Sequence, residues 1–185
     1  MVDREQSDET WVFGYGSLMW RPDFPFVEAS PALLQGYNRA LCIYSTIYRG
    51  TEEKPGLVLG LDEGGECHGR AFRLDLNDVD DVMETLHKRE MPTNVYTPRF
   101  LNVCLEGGRN VQAYTFIVRR DHEQYTGVLS IEEQARLVKQ GIGPNGSSLD
   151  YLANTLEHLD EMDSSGAISE GDAEQRLHEV LRAVG

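Results

Sequence analysis

The sequence predicts a single α+β domain, a mixed β-sheet with helices packed on its outside. Two patterns carry that reading: runs of β-branched and aromatic residues recur up to residue 118, and helical spacing interrupts them once before taking over beyond residue 130. A third observation is that no internal repeat or low-complexity tract stands out, and Gly and Pro are spread as turn punctuation without marking a linker. At 185 residues the chain is long enough to bury a sizeable core without disulfides or a structural metal.

Taken in order, strands are predicted over 11–15, 38–44, 57–61, 69–74, 100–105 and 111–118. The last two form the clearest hairpin, because Glu106-Gly107-Gly108-Arg109-Asn110 lies between them and glycines there can take the positive φ of a tight turn. Asn77 is placed to cap a helix whose Val79, Val82, Met83 and Leu86 repeat at helical spacing until Pro92 stops it. Ser130-Ile131-Glu132-Glu133 has capping-box spacing for a helix through about Lys139. Ser148 is placed to cap another, carrying Leu149, Leu152, Leu156 and Leu159, and a last amphipathic helix falls near 170–181.

Charge narrows the partners. With 17 Lys and Arg against 31 Asp and Glu the formal charge is −14, and so acidic a surface repels nucleic acid and anionic membranes. Small molecules or proteins remain. From 150 to 185 there are nine acidic and two basic residues, which reads as a solvated helical rim. Cys42, Cys67 and Cys104 are far apart, odd in number and free of Cys-x-x-Cys pairing, so reduced thiols in the cytosol are expected. No window approaches a bilayer span, and the polar first ten residues lack the apolar core of a signal peptide, so a soluble, cytoplasmic chain is expected. The organisation expected is a disordered N-terminus at 1–10, one domain over 11–160 and an acidic helical extension at 161–185.

Two places attract chemistry. In Phe13-Gly14-Tyr15-Gly16-Ser17-Leu18-Met19-Trp20 an apolar strand ends in two glycines before a small polar residue, and such a loop can present N–H groups to an anion. It lacks the third glycine of a dinucleotide fingerprint, the Lys of a P-loop, and the glycines that a Gly-x-Ser-x-Gly elbow would need at Tyr15 and Met19. A plain strand-to-loop turn is the competing reading. The second place is Glu90, four residues after Leu86 on the same stripe, so the periodicity that buries Leu86 also aims this carboxylate toward the interior or a cleft. Desolvation and the negative helix end would both raise its pKa. Against this stands a helix-end Glu paired with Arg89 or Lys88 at the surface. His68, His87, His122, His158 and His178 are scattered and form no metal set, and no metal or other cofactor is expected.

Taken together, that glycine loop, Tyr48-Arg49-Gly50-Thr51, Lys54-Pro55-Gly56, Arg89-Glu90 and Tyr151-Leu152 resemble the ChaC-type γ-glutamylcyclotransferases from residue 11 to about 159. The resemblance implies a small α+β fold around a closed or nearly closed, barrel-like mixed sheet, and action on glutathione in the cytosol. It implies that Tyr15, Gly16, Ser17, Leu18, Met19 and Trp20 bind substrate and that Glu90 is the catalytic acid/base. Met91-Pro92-Thr93-Asn94-Val95 departs from the family, whose members commonly carry glycines there, and the tail beyond 160 matches no family motif. Tyr96 and Tyr125 are further substrate-contact candidates, the latter because His122-Glu123-Gln124-Tyr125 resembles a family segment. Core tyrosine is the alternative for both.

The implied reaction needs no enzyme nucleophile. The substrate's own amine closes onto its γ-carbonyl, and one carboxyl group can take the ammonium proton and return it to the leaving nitrogen. Glutathione is anionic, so local cations, Arg39 or Arg49, are expected to offset the overall charge. Rival readings are the same closure on another γ-glutamyl compound and a non-catalytic acidic module that binds γ-glutamyl ligands. A monomer is expected.

Overall fold

The computed structural model describes residues 9–164 and 171–185, so most of the N-terminus expected to be disordered lies outside the described residues. Its centre is a closed five-stranded barrel in the order β1 (Thr10–Gly14), β3 (Gly56–Leu74), β2 (Glu28–Ser45), β4 (Tyr96–Leu105), β5 (Asn110–Val118). Helices α1 (Val79–Glu90), α2 (Ile131–Gln140), α3 (Ser148–Ser164) and α4 (Asp172–Val184) pack around it, with a small ribbon of β6 (Ile142–Gly143) and β7 (Gly146–Ser147) before α3. The α+β expectation and the closed mixed sheet are both met. The sheet is mixed because β1 runs antiparallel to β3 but parallel to β5, where Trp11 and Val12 pair with Ala113 and Tyr114.

The side-chain alternation of β1 shows how the barrel is clothed. Trp11 and Phe13 join the cluster completed by α2, α3 and α4, while Val12 joins the one completed by Val82 and Leu86 of α1. With both of its faces covered, β1 reads as a continuous apolar run.

The two long strands exceed the prediction. The strand expected at 38–44 starts ten residues earlier: β2 runs through both Pro31 and Gly36, slipping register between Gln35 and Tyr37 where Gly36 takes φ 90°. Strand β3 likewise joins the two separate runs expected at 57–61 and 69–74, passing through Gly64 and Gly65 at positive φ. The β4–β5 hairpin turns where expected, with Gly107 and Gly108 at φ 90° and 91°.

Helix caps agree in part. Ser130 accepts from Glu133 N at 3.1 Å, as the capping box requires. Asn77 does not cap α1; its amide binds Asp75, and Asp78 occupies the cap position without a side-chain bond. Ser148 does not cap α3 either. Its hydroxyl donates to Leu57 O at 2.6 Å and accepts from Leu57 N at 3.0 Å, while Ser147 Oγ receives Asp150 N.

The terminal segment is more than a solvated rim. Leu177, Val180 and Val184 of α4 are buried in the main core, because apolar residues at helical spacing decide a helix's packing even among acidic neighbours. Among the described residues no helix is long and apolar enough to cross a membrane.

Candidate active site

A cleft of about 510 Å³ opens between the glycine loop, the end of α1 and the turn between β2 and β3. That volume lies within the range of small-molecule sites. Its lining includes Ser17, Trp20, Arg21, Arg49, Arg89, Glu90, Tyr96 and Tyr151.

Strand β1 delivers the loop. Gly14 is required sterically, since a Cβ there would lie 2.8 Å from Leu18 Cβ as the chain folds back into a single 3-10 turn, Ser17–Met19. The turn commits Met19 N to Gly16 O, and Trp20 N and Arg21 N to Ser17 O. The amides of Ser17 and Leu18, the first two of the turn, are not used by its own hydrogen bonds. Leu18 and Met19 side chains turn into the core, and Trp20 stacks on His158 of α3 at 4.2 Å between centroids.

Glu90 is the last residue of α1, one turn beyond buried Leu86. About a fifth of its side chain, 21%, meets solvent, and that solvent is the cleft. Burial raises its pKa above the usual glutamate value, and the Arg89 guanidinium, Nε at 3.4 Å, pulls the other way. Arg89 is not a free surface partner. Its Nη2 donates to Ser17 Oγ at 2.8 Å and its Nη1 to Arg21 O at 3.2 Å, so it ties the end of α1 to the glycine loop.

Three phenols sense the charge of Glu90: Tyr15, Tyr96 and Tyr151. Burial is the main cause of their raised pKa values, with Tyr151 pushed up to about 12, so all three stay protonated near neutrality. Tyr96 donates to Leu59 O at 3.0 Å and hydrogen-bonds Tyr15. Tyr151 accepts from Leu59 N at 3.2 Å, which leaves its own hydrogen to donate. One residue of β3, through its N–H and its C=O, thus orients two tyrosines toward the cleft.

The structure brings Ser17, Trp20, Glu90 and Tyr96 to the cleft wall, with Tyr15 behind Tyr96 and Gly16 beneath Tyr151, where a Cβ would stand 3.9 Å from the hydroxyl. Tyr125 lies elsewhere, bonded to Asp62 Oδ2 at 2.9 Å and bridged to Ile43. Of the two cations expected beside the substrate, Arg49 lines the cleft. Arg39 does not; it is buried against Glu174 and the carbonyls of Tyr15 and His68. Arg21, Tyr151 and Asn154 were not singled out as site residues from the sequence. Tyr151 carried a signal in its match to a family motif, while Arg21 and Asn154 are recruited only by tertiary packing.

The loop after β2 is held by close backbone approach. A Cβ on Gly50 would lie 2.3 Å from Gly56 N, one on Gly141 2.3 Å from Gly56 Cα, and one on Gly143 2.4 Å from Tyr48 O. Arg49 also donates to Asn145 O and sits 5.4 Å above the Tyr151 ring. The departing segment 91–95 solves its turn without glycine: Asn94 takes φ 56°, a left-handed conformation that Asn tolerates.

Residues 10–185 match the family model described as ChaC-like protein. The glutathione-specific γ-glutamylcyclotransferase of Escherichia coli (strain K12) is 37% identical over 156 residues, covering 84% of this chain and 68% of that protein. That of Schizosaccharomyces pombe is 30% identical over 190 residues, covering 90% and 92%. A crystal structure of a yeast γ-glutamyl cyclotransferase specific to glutathione superposes with a TM-score of 0.84 over 96% of each chain at 24% identity, which establishes the shared fold.

Proposed function

The chain belongs to the ChaC-like protein family, and from that premise we propose that it cleaves glutathione to 5-oxoproline and Cys-Gly, with Glu90 moving the protons. The observation that carries the chemical part is a largely buried carboxyl, its pKa raised by burial, in a cleft facing the glycine loop. In the reaction the α-amine nitrogen attacks the γ-carbonyl carbon, a ring C–N bond forms, and the C–N bond to cysteine breaks. No water is consumed. Two protons leave the attacking nitrogen. Glu90 accepts the first from the ammonium and delivers it to the departing nitrogen; the second, shed by the ring nitrogen once the bond has formed, ends on the released amine, which departs as ammonium.

The magnitudes favour a displaced pKa. With reference values of about 4.3 for Glu and about 8 for an α-amine, the first transfer is uphill by about 5 kcal/mol, and each unit added to the carboxyl removes about 1.4 kcal/mol. Folding the γ-glutamyl arm supplies the rest, since well-oriented intramolecular reactions reach effective molarities of about 10⁵ to 10⁸ M. The amides of Ser17 and Leu18 are suited to the developing oxyanion or the substrate carboxylate. Arg21, Arg49 and Arg89 outnumber Asp23 and Glu90 in the cleft, giving an anionic substrate a locally cationic site within an acidic protein.

Incubating the purified protein with glutathione tests the reading. Release of 5-oxoproline and Cys-Gly is expected, with kcat/KM for glutathione above that for γ-glutamylamines and γ-glutamyl amino acids; no 5-oxoproline from any of them would overturn it. The reading includes a cytosolic monomer, which sedimentation and fractionation check.

A further inference from the structure

Arg39 and Glu174 form an ion pair with 0% and 5% of their side chains exposed, and neither lines the cleft. Arg39 rises from β2 and spends every arm of its guanidinium. Nε donates to Tyr15 O at 2.5 Å, Nη1 to the Glu174 carboxylate, and Nη2 to His68 O at 2.7 Å with Met19 Sδ at 3.7 Å. Glu174 sits in the first turn of α4, and its second oxygen accepts from Gly171 N at 3.1 Å, so one carboxylate caps the helix and holds the arginine. Tyr15 and Met19 bracket the glycine loop, and the Tyr15 phenol meets Tyr96 beside Glu90.

We propose that Glu174 is a positioning residue for the glycine loop, acting through Arg39, so that the terminal helix sets where the loop stands relative to Glu90. The loop is gripped from two sides: Arg89 holds Ser17 from the end of α1, and Arg39 holds Tyr15 and Met19 from beneath. Without Glu174, Arg39 is a buried unpaired charge that must leave its place to find water, and the carbonyl of Tyr15 loses its donor. The phenol beside Glu90 then shifts with its own backbone. A misplacement of about 1 Å costs about 100-fold in rate, whereas the cleft cations that attract the substrate are untouched.

The inference rests on the glutathione reading, and its test separates the two. The double variant Arg39→Met with Glu174→Leu removes both charges and keeps similar volume, a change that buried pairs often tolerate. A folded double variant is expected to lose about 10- to 100-fold in kcat with KM changed by less than about threefold, because the fault is one of alignment. Amide hydrogen exchange over 14–20 is expected to quicken while α1 stays protected. A folded double variant with the parent's kcat and unchanged exchange over 14–20 would overturn the proposal. Should it not fold, Glu174→Gln, nearly isosteric, decides: folded with lowered kcat supports positioning, while parental kcat or failure to fold overturns it. If the parent itself released no 5-oxoproline, the glutathione reading would fall and hydrogen exchange alone would judge the clamp.

Discussion

At the scale of the residue, Glu90 trades stability for chemistry. Burial disfavours its charged form, so its folded-state pKa lies above the unfolded one. The stability it contributes is therefore full below the unfolded value and is lost as pH rises through the folded value. Glu90→Gln is expected to melt higher than the parent at pH 7 to 8, with the gap closing toward acid pH, while kcat falls by about 10²- to 10⁴-fold. Equal melting at both pH values, or near-parental turnover, would contradict the assigned role. Arg89 lowers the same pKa, so Arg89→Met should move the acidic limb of the kcat/KM profile to higher pH. A limb that stays or moves down would show that Arg89 serves only to tie Ser17.

At the scale of the element, the turn after β2 is the most exacting piece. Gly50→Ala places a Cβ 2.3 Å from Gly56 N and 2.5 Å from Ser45 O, both backbone atoms, so the loop must move and carry Arg49 with it. A rise in KM of about tenfold or more, with α1 still protected from exchange, is expected; an unchanged KM would free Arg49 from any substrate role. How much of this was legible varies by element. Strands β1 and β5, the second half of β4, the hairpin turn, α1 and α2 follow from β-branched and aromatic runs, helical spacing and turn residues, all local signals. The first ten residues of β2 were hidden by Pro31 and Gly36, which a bulged strand absorbs. At the site, Glu90 is visible as a carboxylate on an apolar stripe, whereas Arg39 facing Glu174 is a pairing across 135 residues that no local pattern carries.

At the scale of the whole molecule, a net charge of −14 acts against an anionic substrate at long range while the cleft attracts it at short range. Screening lengths fall from about 30 Å at 0.01 M salt to about 10 Å at 0.1 M, so added salt weakens the distant repulsion first. A rise of about two- to threefold in kcat/KM for glutathione over that interval is expected from stopped-time assays, followed by decline as the cleft contacts are screened in turn. A monotonic decline from the lowest salt would mean that the local cations dominate at every distance.

Barrel closure brings Trp11 beside Ala113, and that seam has a temporal consequence. Chain segments so remote must find one another through a large conformational search, which slows maturation after dilution from denaturant. The hairpin of β4 and β5 and the separate helices are local and form early. Recovered ellipticity should therefore run ahead of recovered turnover, leaving a window in which the molecule looks complete by circular dichroism yet cannot work.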